Sequence, residues 1–265
     1  MTLWNRTRGF LKKVGPGFIT GAADDDPSGI ATYTQTGAQF GYGQLWTAVA
    51  MLPFMVAIQE ACARIGAVTG KGLARVIKEN YSKKVVYAAV TLVLVANTIN
   101  IGADIGAMAA ASARALEPLV RTFPNAGEIA KLVFATGIVG LGLLGVSVLS
   151  GSASYALTEA LNWKEGLNLK FKQAHGFYGV IIAATVIGLL LDFIGVDPIK
   201  ALVFAAVLNG VAAVPLIFII ALTARSRPIM GEYRSGPLSH VFVWLTFAVM
   251  AAAAVMMFVT LFLKR

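Results

Sequence analysis

Seven long apolar stretches, separated by short polar segments, make up most of this chain. They cover approximately residues 15–39, 45–68, 85–111, 129–157, 177–194, 199–224 and 240–263. Each is near or above the roughly 20 residues that an α-helix needs to cross the hydrocarbon core of a bilayer, and the stretch 177–194 is the shortest. The pattern therefore predicts an all-α membrane protein with about seven transmembrane helices.

The first apolar stretch is interrupted by three consecutive carboxylates, Asp24, Asp25 and Asp26, with Pro27 directly after them. Each aspartate near the middle of a bilayer costs about 2.5–3.5 kcal/mol on insertion scales. Pro27 has no N–H, and its ring clashes with the carbonyl one turn earlier, so a helix is disturbed there. We therefore predict a first helix that is broken at residues 24–29 and carries an acidic cluster.

A bound cation is the simplest partner for this acidic cluster. Carboxylates, a serine hydroxyl and the backbone carbonyls freed by a helix break are hard oxygen ligands, suited to Mg²⁺, Mn²⁺ or Ca²⁺. Broken helices of this kind form midplane ion sites in secondary transporters. The alternative is a solvated acidic turn at a helix end. The predicted metal ligands are Ala23, Asp24, Asp25, Asp26, Ser28 and Gly29.

Composition and charge agree with membrane insertion. Of the 265 residues 57% are hydrophobic and only 13% are charged, which is typical of a polytopic membrane protein. Most of the 22 lysines and arginines fall in the N-terminal arm and in every second loop, as the positive-inside rule requires of cytoplasmic segments. The net charge of +9 thus needs no nucleic-acid partner. We expect a bacterial inner membrane protein with a cytoplasmic N-terminus and an external C-terminus.

The third apolar stretch carries a polar stripe. Asn97, Asn100 and Asp104 recur at i, i+3 and i+7 on one helix face, with Gly102 and Gly106 on the opposite side. The glycines form a small-xxx-small packing face. The stripe could then line a cavity, as part of a proton or ion pathway. The alternative is hydrogen bonding between helices by the asparagines, with Asp104 near a membrane border.

The remaining polar motifs do not indicate catalysis. The single cysteine, Cys62, excludes a disulfide framework, and no GxSxG, HExxH or paired-cysteine motif occurs. Glu60 and Arg64, spaced i, i+4, are expected to form an ion pair at a membrane border. The segment 66–72 lacks the spacing of a phosphate-binding P-loop and is interpreted as a cytoplasmic helix end. We expect neither an enzyme nor a cofactor.

The stretch GPGFITGAADDDPSGIATYTQTGAQFGYGQLW (15–46) resembles the first helix of the NRAMP family of divalent metal transporters. The family's DPGN motif aligns with Asp26-Pro27-Ser28-Gly29. Residues 137–163 are similar to the family's eighth helix, and residues 63–74, 103–111 and 195–216 are similar to other parts of it. The resemblance implies a partial LeuT-like fold and transport of Mn²⁺, Mg²⁺ or Fe²⁺, usually by symport with protons.

The chain also departs from the family pattern. Gly29 stands in place of the motif's asparagine, for which Ser28 and Asp25 can substitute as ligands. The DPSG form resembles an NRAMP-related branch that carries Mg²⁺ and Mn²⁺. The third helix of the family carries an acidic pair tied to proton movement; Asp104 keeps the first member, but Ala107 replaces the second. The expectation of proton symport is weaker for this reason.

The largest departure concerns the middle of the chain, where four family helices have no counterpart. We expect a single polytopic domain, with a basic cytoplasmic arm over 1–14, helices 1–3 over 15–111, a loop over 112–128 and the last four family helices over 129–265. The absent helices carry half of the family's ion site. This leaves transport by the chain alone, a homo-oligomer, or a non-transporting subunit that joins a full-length homologue. A LeuT-like carrier of a small organic solute is the further alternative.

Overall fold

The computed structural model describes residues 27–120, 126–193 and 198–263, and these are almost entirely helical, with no strand among them. Two short 3₁₀ turns, Gly41–Gln44 and Phe171–Gln173, lie between helices. The helices are α1 (Pro27–Phe40), α2 (Leu45–Thr69), α3 (Leu73–Asn80), α4 (Lys83–Val120), α5 (Ala126–Leu161), α6 (His175–Asp192), α7 (Pro198–Arg225), α8 (Arg227–Met230) and α9 (Pro237–Leu263).

Membrane-spanning character is distributed as the hydrophobic pattern predicts. Five stretches of the described chain are long and apolar enough to cross a bilayer, and α6 supplies a shorter apolar helix over His175–Leu191. The five stretches are Gln35–Thr69, Lys83–Gly106, Val139–Leu161, Lys200–Arg225 and Pro237–Thr260. The prediction of an all-α membrane protein is confirmed. Of the first predicted span, 15–39, residues 27–39 belong to α1 and residues 15–26 lie outside the described residues.

One predicted loop is largely helical. Residues 112–120 belong to α4 and residues 126–128 belong to α5, whereas a loop was expected over 112–128. The physical reason is composition, since alanine, arginine, leucine and glutamate dominate 109–117 and all favour helix. The first proline of this stretch, Pro118, comes only two residues before the end of α4. Backbone propensity therefore extends the helix past the apolar segment.

The end of α2 is set by a glycine. Gly70 has φ +63°, a left-handed conformation that only glycine adopts without a steric penalty, and its N–H donates to the Gly66 carbonyl at 2.9 Å. The chain turns there and enters the short helix α3 after Gly72. This confirms the interpretation of residues 66–72 as a helix end.

The described residues form two compact units, and each long helix from α4 to α7 contributes to both. The first unit includes residues 97–152 and 182–205, where Ala103 of α4 packs with Leu202 and Ala205 of α7. In the same unit, the Cα of Gly102 faces α6 so closely that an added Cβ would lie 2.5 Å from the Gly188 carbonyl oxygen. The predicted glycine packing face of this helix is therefore confirmed at Gly102.

The second unit includes residues 36–96, 153–181 and 206–265. Its apolar core joins five elements, since Ala61 of α2, Val76 of α3, Ala221 of α7, Met230 of α8 and Val243 of α9 are all buried. Small side chains such as Ala61 and Ala221 are common where membrane helices pack together.

Substitution of Gly102 tests this close approach. Gly102→Ala should lower the free energy of unfolding by about 1–3 kcal/mol, because the added methyl group would collide with backbone atoms of α6. The matched control is Gly179→Ala on α6, where no atom lies within 4 Å of the added Cβ, so stability should be unchanged or slightly higher. Thermal unfolding in detergent would measure both. Equal stability of the two variants would contradict the contact.

Candidate metal centre and membrane polar groups

The acidic cluster lies directly before α1. Residues Ala23, Asp24, Asp25 and Asp26 lie outside the described residues, so their predicted role as ligands stays a prediction. Pro27, Ser28 and Gly29 belong to the described helix α1, so any interruption of the first helix lies before Pro27. Proline is well tolerated in a first helical turn, where its missing N–H has no intrahelical acceptor.

Two of the three residues in the polar stripe of α4 are fully buried, and the third, Asn97, is half-buried. Asn97 donates from Nδ2 to the Leu149 carbonyl of α5 at 3.1 Å. Asn100 and Asp104 are 2% and 0% exposed. Asn97 thus makes the hydrogen bond between helices that was weighed as the alternative to a cavity. For Asn100, the carboxamide oxygen has no hydrogen-bond partner among the described residues.

A cavity of about 370 Å³ lies on another face of α4, in the same unit. Ile99, Ala103, Leu191 and Phe204 line it, together with the ammonium-bearing side chain of Lys200. Apolar groups and a lysine offer no oxygen ligands for a divalent cation. This cavity therefore differs from the predicted metal site, and the Asn97–Asn100–Asp104 stripe is not part of its lining.

Metal-ligating side chains do not cluster elsewhere in the part of the chain that the structure describes. No group of three or more histidine, cysteine, aspartate or glutamate residues there could hold an ion. Among the described residues there is therefore no alternative to the acidic cluster before α1 as a metal site.

A polar network that sequence reasoning missed joins α3 to the end of α5. The Glu159 carboxylate accepts a hydrogen bond from the Arg75 backbone N–H at 3.1 Å, at the third residue of α3. A Cβ on Gly72 would lie only 1.8 Å from the Glu159 Oε1, so the carboxylate occupies the space that a side chain at position 72 would need. Glu159 therefore satisfies one of the unpaired N–H groups that begin every helix.

Side chains of the same network extend to the loop after α5. The Arg75 guanidinium pairs with Glu165 at 3.0 Å, and the other Glu165 oxygen contacts the Thr158 hydroxyl at 3.0 Å. Lys78 donates to the Ala160 carbonyl near the C-terminus of α5. Opposite ends of two helices are thus each matched by a side chain of suitable charge. Gly70 and Gly72, which lie directly before α3, are the only local sequence signal of this arrangement.

The predicted Glu60–Arg64 ion pair is confirmed on α2. Arg64 Nε lies 2.6 Å from Glu60 Oε1, and the Ser239 hydroxyl at the start of α9 donates to Glu60 Oε2 at 2.7 Å. Both carboxylate oxygens of Glu60 therefore already accept hydrogen bonds within the protein. This agrees with an ion pair at a membrane border and not with a metal-ligand site.

Comparison with known families gives the lineage. A model of natural resistance-associated macrophage protein-like sequences (Nramp) matches residues 17–120 and 113–260 of this chain. The chain belongs to the Nramp family. The two matched segments overlap at residues 113–120. This overlap lies within the region where four family helices were expected to be absent.

Several curated proteins are similar to parts of this Nramp chain. "Metal transporter Nramp6.2" of Populus trichocarpa is 41% identical over 98 residues, which are 37% of this chain and 17% of that protein. "Metal transporter Nramp5" of Oryza sativa subsp. japonica is 39% identical over 102 residues, 38% of this chain and 18% of that protein. "Divalent metal cation transporter MntH" of Yersinia pestis is 40% identical over 78 residues, 29% of this chain and 19% of that protein.

These alignments therefore cover less than a fifth of each relative's length. They agree with the NRAMP resemblance that the first-helix and eighth-helix motifs indicate.

Loss of the Glu159 carboxylate tests the network around α3. Glu159→Ala should destabilise the chain by about 0.5–2 kcal/mol, the usual cost of losing a helix cap, and should speed hydrogen exchange at the Arg75 amide. The control is Glu79→Ala, which removes only an exposed pair with Lys71 and should cost at most about 1 kcal/mol without changing that amide. Hydrogen exchange of residues 70–80 by mass spectrometry is the measurement. Unchanged exchange in Glu159→Ala would contradict the capping role.

Proposed function

We propose that this Nramp chain takes part in divalent metal cation transport, with the metal as its substrate. The carrying observation is the family match over residues 17–120 and 113–260, together with relatives from plants and a bacterium that are named as metal transporters. The helical architecture with its five long apolar stretches supports a multi-pass membrane protein. Mn²⁺, Mg²⁺ and Fe²⁺ are the candidate ions.

Asp26 is the proposed principal ligand. It combines an ionised carboxylate, the position that aligns with the family motif, and a place immediately before the helical residue Pro27. Asp25 and Asp24, the Ser28 hydroxyl and the backbone at Ala23 and Gly29 would complete an oxygen-rich set. Three adjacent carboxylates in an apolar segment repel one another, and a doubly charged ion offsets both that repulsion and their desolvation.

The buried α4 stripe is the proposed second part of the pathway. Asn100 and Asp104 lie one helical turn apart inside the first unit, and the Asn100 carboxamide oxygen is left without a hydrogen-bond partner among the described residues. With Ala107 in place of a second acid, we propose metal movement that is not tied to proton symport.

The distribution of lysine and arginine supports an orientation with the N-terminus in the cytoplasm and the C-terminus outside. We propose a bacterial inner membrane as the location.

A second candidate function follows from the segmented family match. If the four middle helices are absent, one wall of the ion site must come from another chain, either a second copy or a longer Nramp relative. The chain would then be a subunit that does not transport alone.

Replacement of Asp26 tests the metal site. Asp26→Asn should weaken Mn²⁺ binding by at least about tenfold, since loss of even an outer partner of a ligand costs about 10–100-fold. Calorimetry on the detergent-solubilised chain measures the affinity, and uptake into proteoliposomes measures transport. The control, Glu79→Gln, changes an exposed carboxylate that is paired with Lys71 and should leave binding unchanged. Mn²⁺ binding that is equal in Asp26→Asn and wild type would contradict the ligand role.

Uptake and co-purification separate the two candidate functions. A transporter that acts alone should accumulate Mn²⁺ in vesicles that contain only this chain. A subunit should show no uptake by itself, should co-purify with a full-length bacterial Nramp relative expressed beside it, and should change the uptake rate of that relative. A folded chain that neither transports nor associates would contradict both proposals.

A further inference from the structure

A small cavity opens where the chain passes from α7 to α9. Its volume is about 260 Å³. We call it the arginine cavity, and its lining residues are Arg225, Glu232, Arg234, Ser235 and Pro237. All of them lie in the second unit. The metal site proposed above uses none of these residues, so the two inferences are independent.

The charge of the arginine cavity is one unit positive. Arg225 and Arg234 each contribute a guanidinium, and Glu232 contributes one carboxylate. No ion pair joins either arginine to an acidic side chain within the described parts of the chain. Two arginines that share a cavity without acidic partners offer several N–H donors to an anion.

Ser235 is the strongest indication that something binds there. It is 7% exposed, and its hydroxyl oxygen is buried with no hydrogen-bond partner among the described residues. Its backbone is held in place, because the Ser235 N–H donates to the Ala224 carbonyl at 3.0 Å. A buried hydroxyl that lacks a partner is unfavourable, and an anion in the cavity would accept a hydrogen bond from it.

The start of α9 adds donors at the same place. Pro237 lines the cavity as the first residue of a 27-residue helix, and the unpaired N–H groups of a first turn attract anions.

We propose that the arginine cavity binds a phosphate group, and that a phosphodiester fits it better than inorganic phosphate. Arginine pairs with phosphate oxygens through two parallel N–H···O bonds, and the Ser235 hydroxyl supplies a further donor. The single excess positive charge matches the one negative charge of a phosphodiester. Glu232 disfavours the greater negative charge of a phosphate monoester or inorganic phosphate at neutral pH.

The surroundings of the cavity favour a phospholipid as the source of this group. The membrane-crossing stretch Pro237–Thr260 begins at the cavity, which places it at the level of lipid headgroups. Leu238 and Val241, on the first turns of α9, are 73% and 60% exposed and are suited to contact acyl chains. Basic pockets beside transmembrane helices are known to hold anionic headgroups.

The test measures binding of the full chain to two phosphate sources at 0.15 M salt. One arm uses phosphatidylglycerol vesicles, with phosphatidylcholine vesicles as the reference, and the other uses inorganic phosphate. Ser235→Ala changes no charge and should weaken binding to phosphatidylglycerol at least about fivefold, because hydrogen bonds to charged groups are strong. Arg234→Gln should weaken it by about fivefold or more.

Matched controls come from the adjacent helix. Arg227→Gln removes the same charge, and Ser226→Ala removes the same hydroxyl, but neither residue lines the cavity. Both controls should change affinity less than about twofold, because neither side chain lines the cavity. Gel filtration establishes that each variant is folded. Glu232→Gln should strengthen inorganic phosphate binding about fivefold, a gain that misfolding cannot produce.

The outcomes divide clearly. Loss of binding in Ser235→Ala and Arg234→Gln on vesicles alone supports the lipid phosphodiester, and equal or stronger losses in the inorganic phosphate arm support a phosphate site that is filled from solution. Equal effects of Arg227→Gln and Arg234→Gln, with Ser235→Ala unchanged, would show diffuse attraction and overturn the proposal. Absence of binding in both arms would overturn it as well.

Discussion

Inside a bilayer, every backbone N–H and C=O must find its partner within the protein, and this constraint determines how the described chain is built. Long helices satisfy most of these groups internally, which explains why helical structure continues almost without a break from one end of the described residues to the other. The remaining polar side chains then bond to helix carbonyls. The Ser154 hydroxyl, for example, donates to the Phe177 carbonyl at 2.6 Å, and Asn97 does the same toward Leu149.

Helix positions can be predicted from local sequence because, in most stretches, the residues that favour insertion into a bilayer also favour helix formation. The apolar stretches therefore predict α2, α5, α6, α7 and α9 within a few residues, and they predict the start of α4 but not its end. Residues 112–120 were predicted wrongly because the two signals diverge there: hydrophobicity falls, whereas alanine-rich propensity continues. Partners across helices depend on packing, so the contact between Gly72 and Glu159 could not be inferred from either neighbourhood alone.

For the candidate metal site, the sequence predicts the chemistry, whereas the surroundings depend on the fold. Three carboxylates in an apolar stretch indicate a cation on energetic grounds, and the same stretch carries the family motif. The buried state of Asp104 and the hydrogen bond of Asn97 required the fold, because the polar stripe alone allowed a cavity or a packed interface. The arginine cavity was hidden for another reason. Arg225 and Arg234 lie in a basic loop, and such loops are expected at a cytoplasmic membrane border whether or not they bind anything.

The contact between Gly102 and Gly188 also limits how this sequence can change over evolutionary time. A tight contact between a large and a small side chain can be relieved by shrinking the large one. Here both partners are already glycine, and the obstructing atom is a backbone oxygen. No substitution at position 188 could make room for a side chain at position 102. A larger side chain is therefore disfavoured at both positions, 102 and 188. The two helices must keep their present spacing for the fold to be maintained.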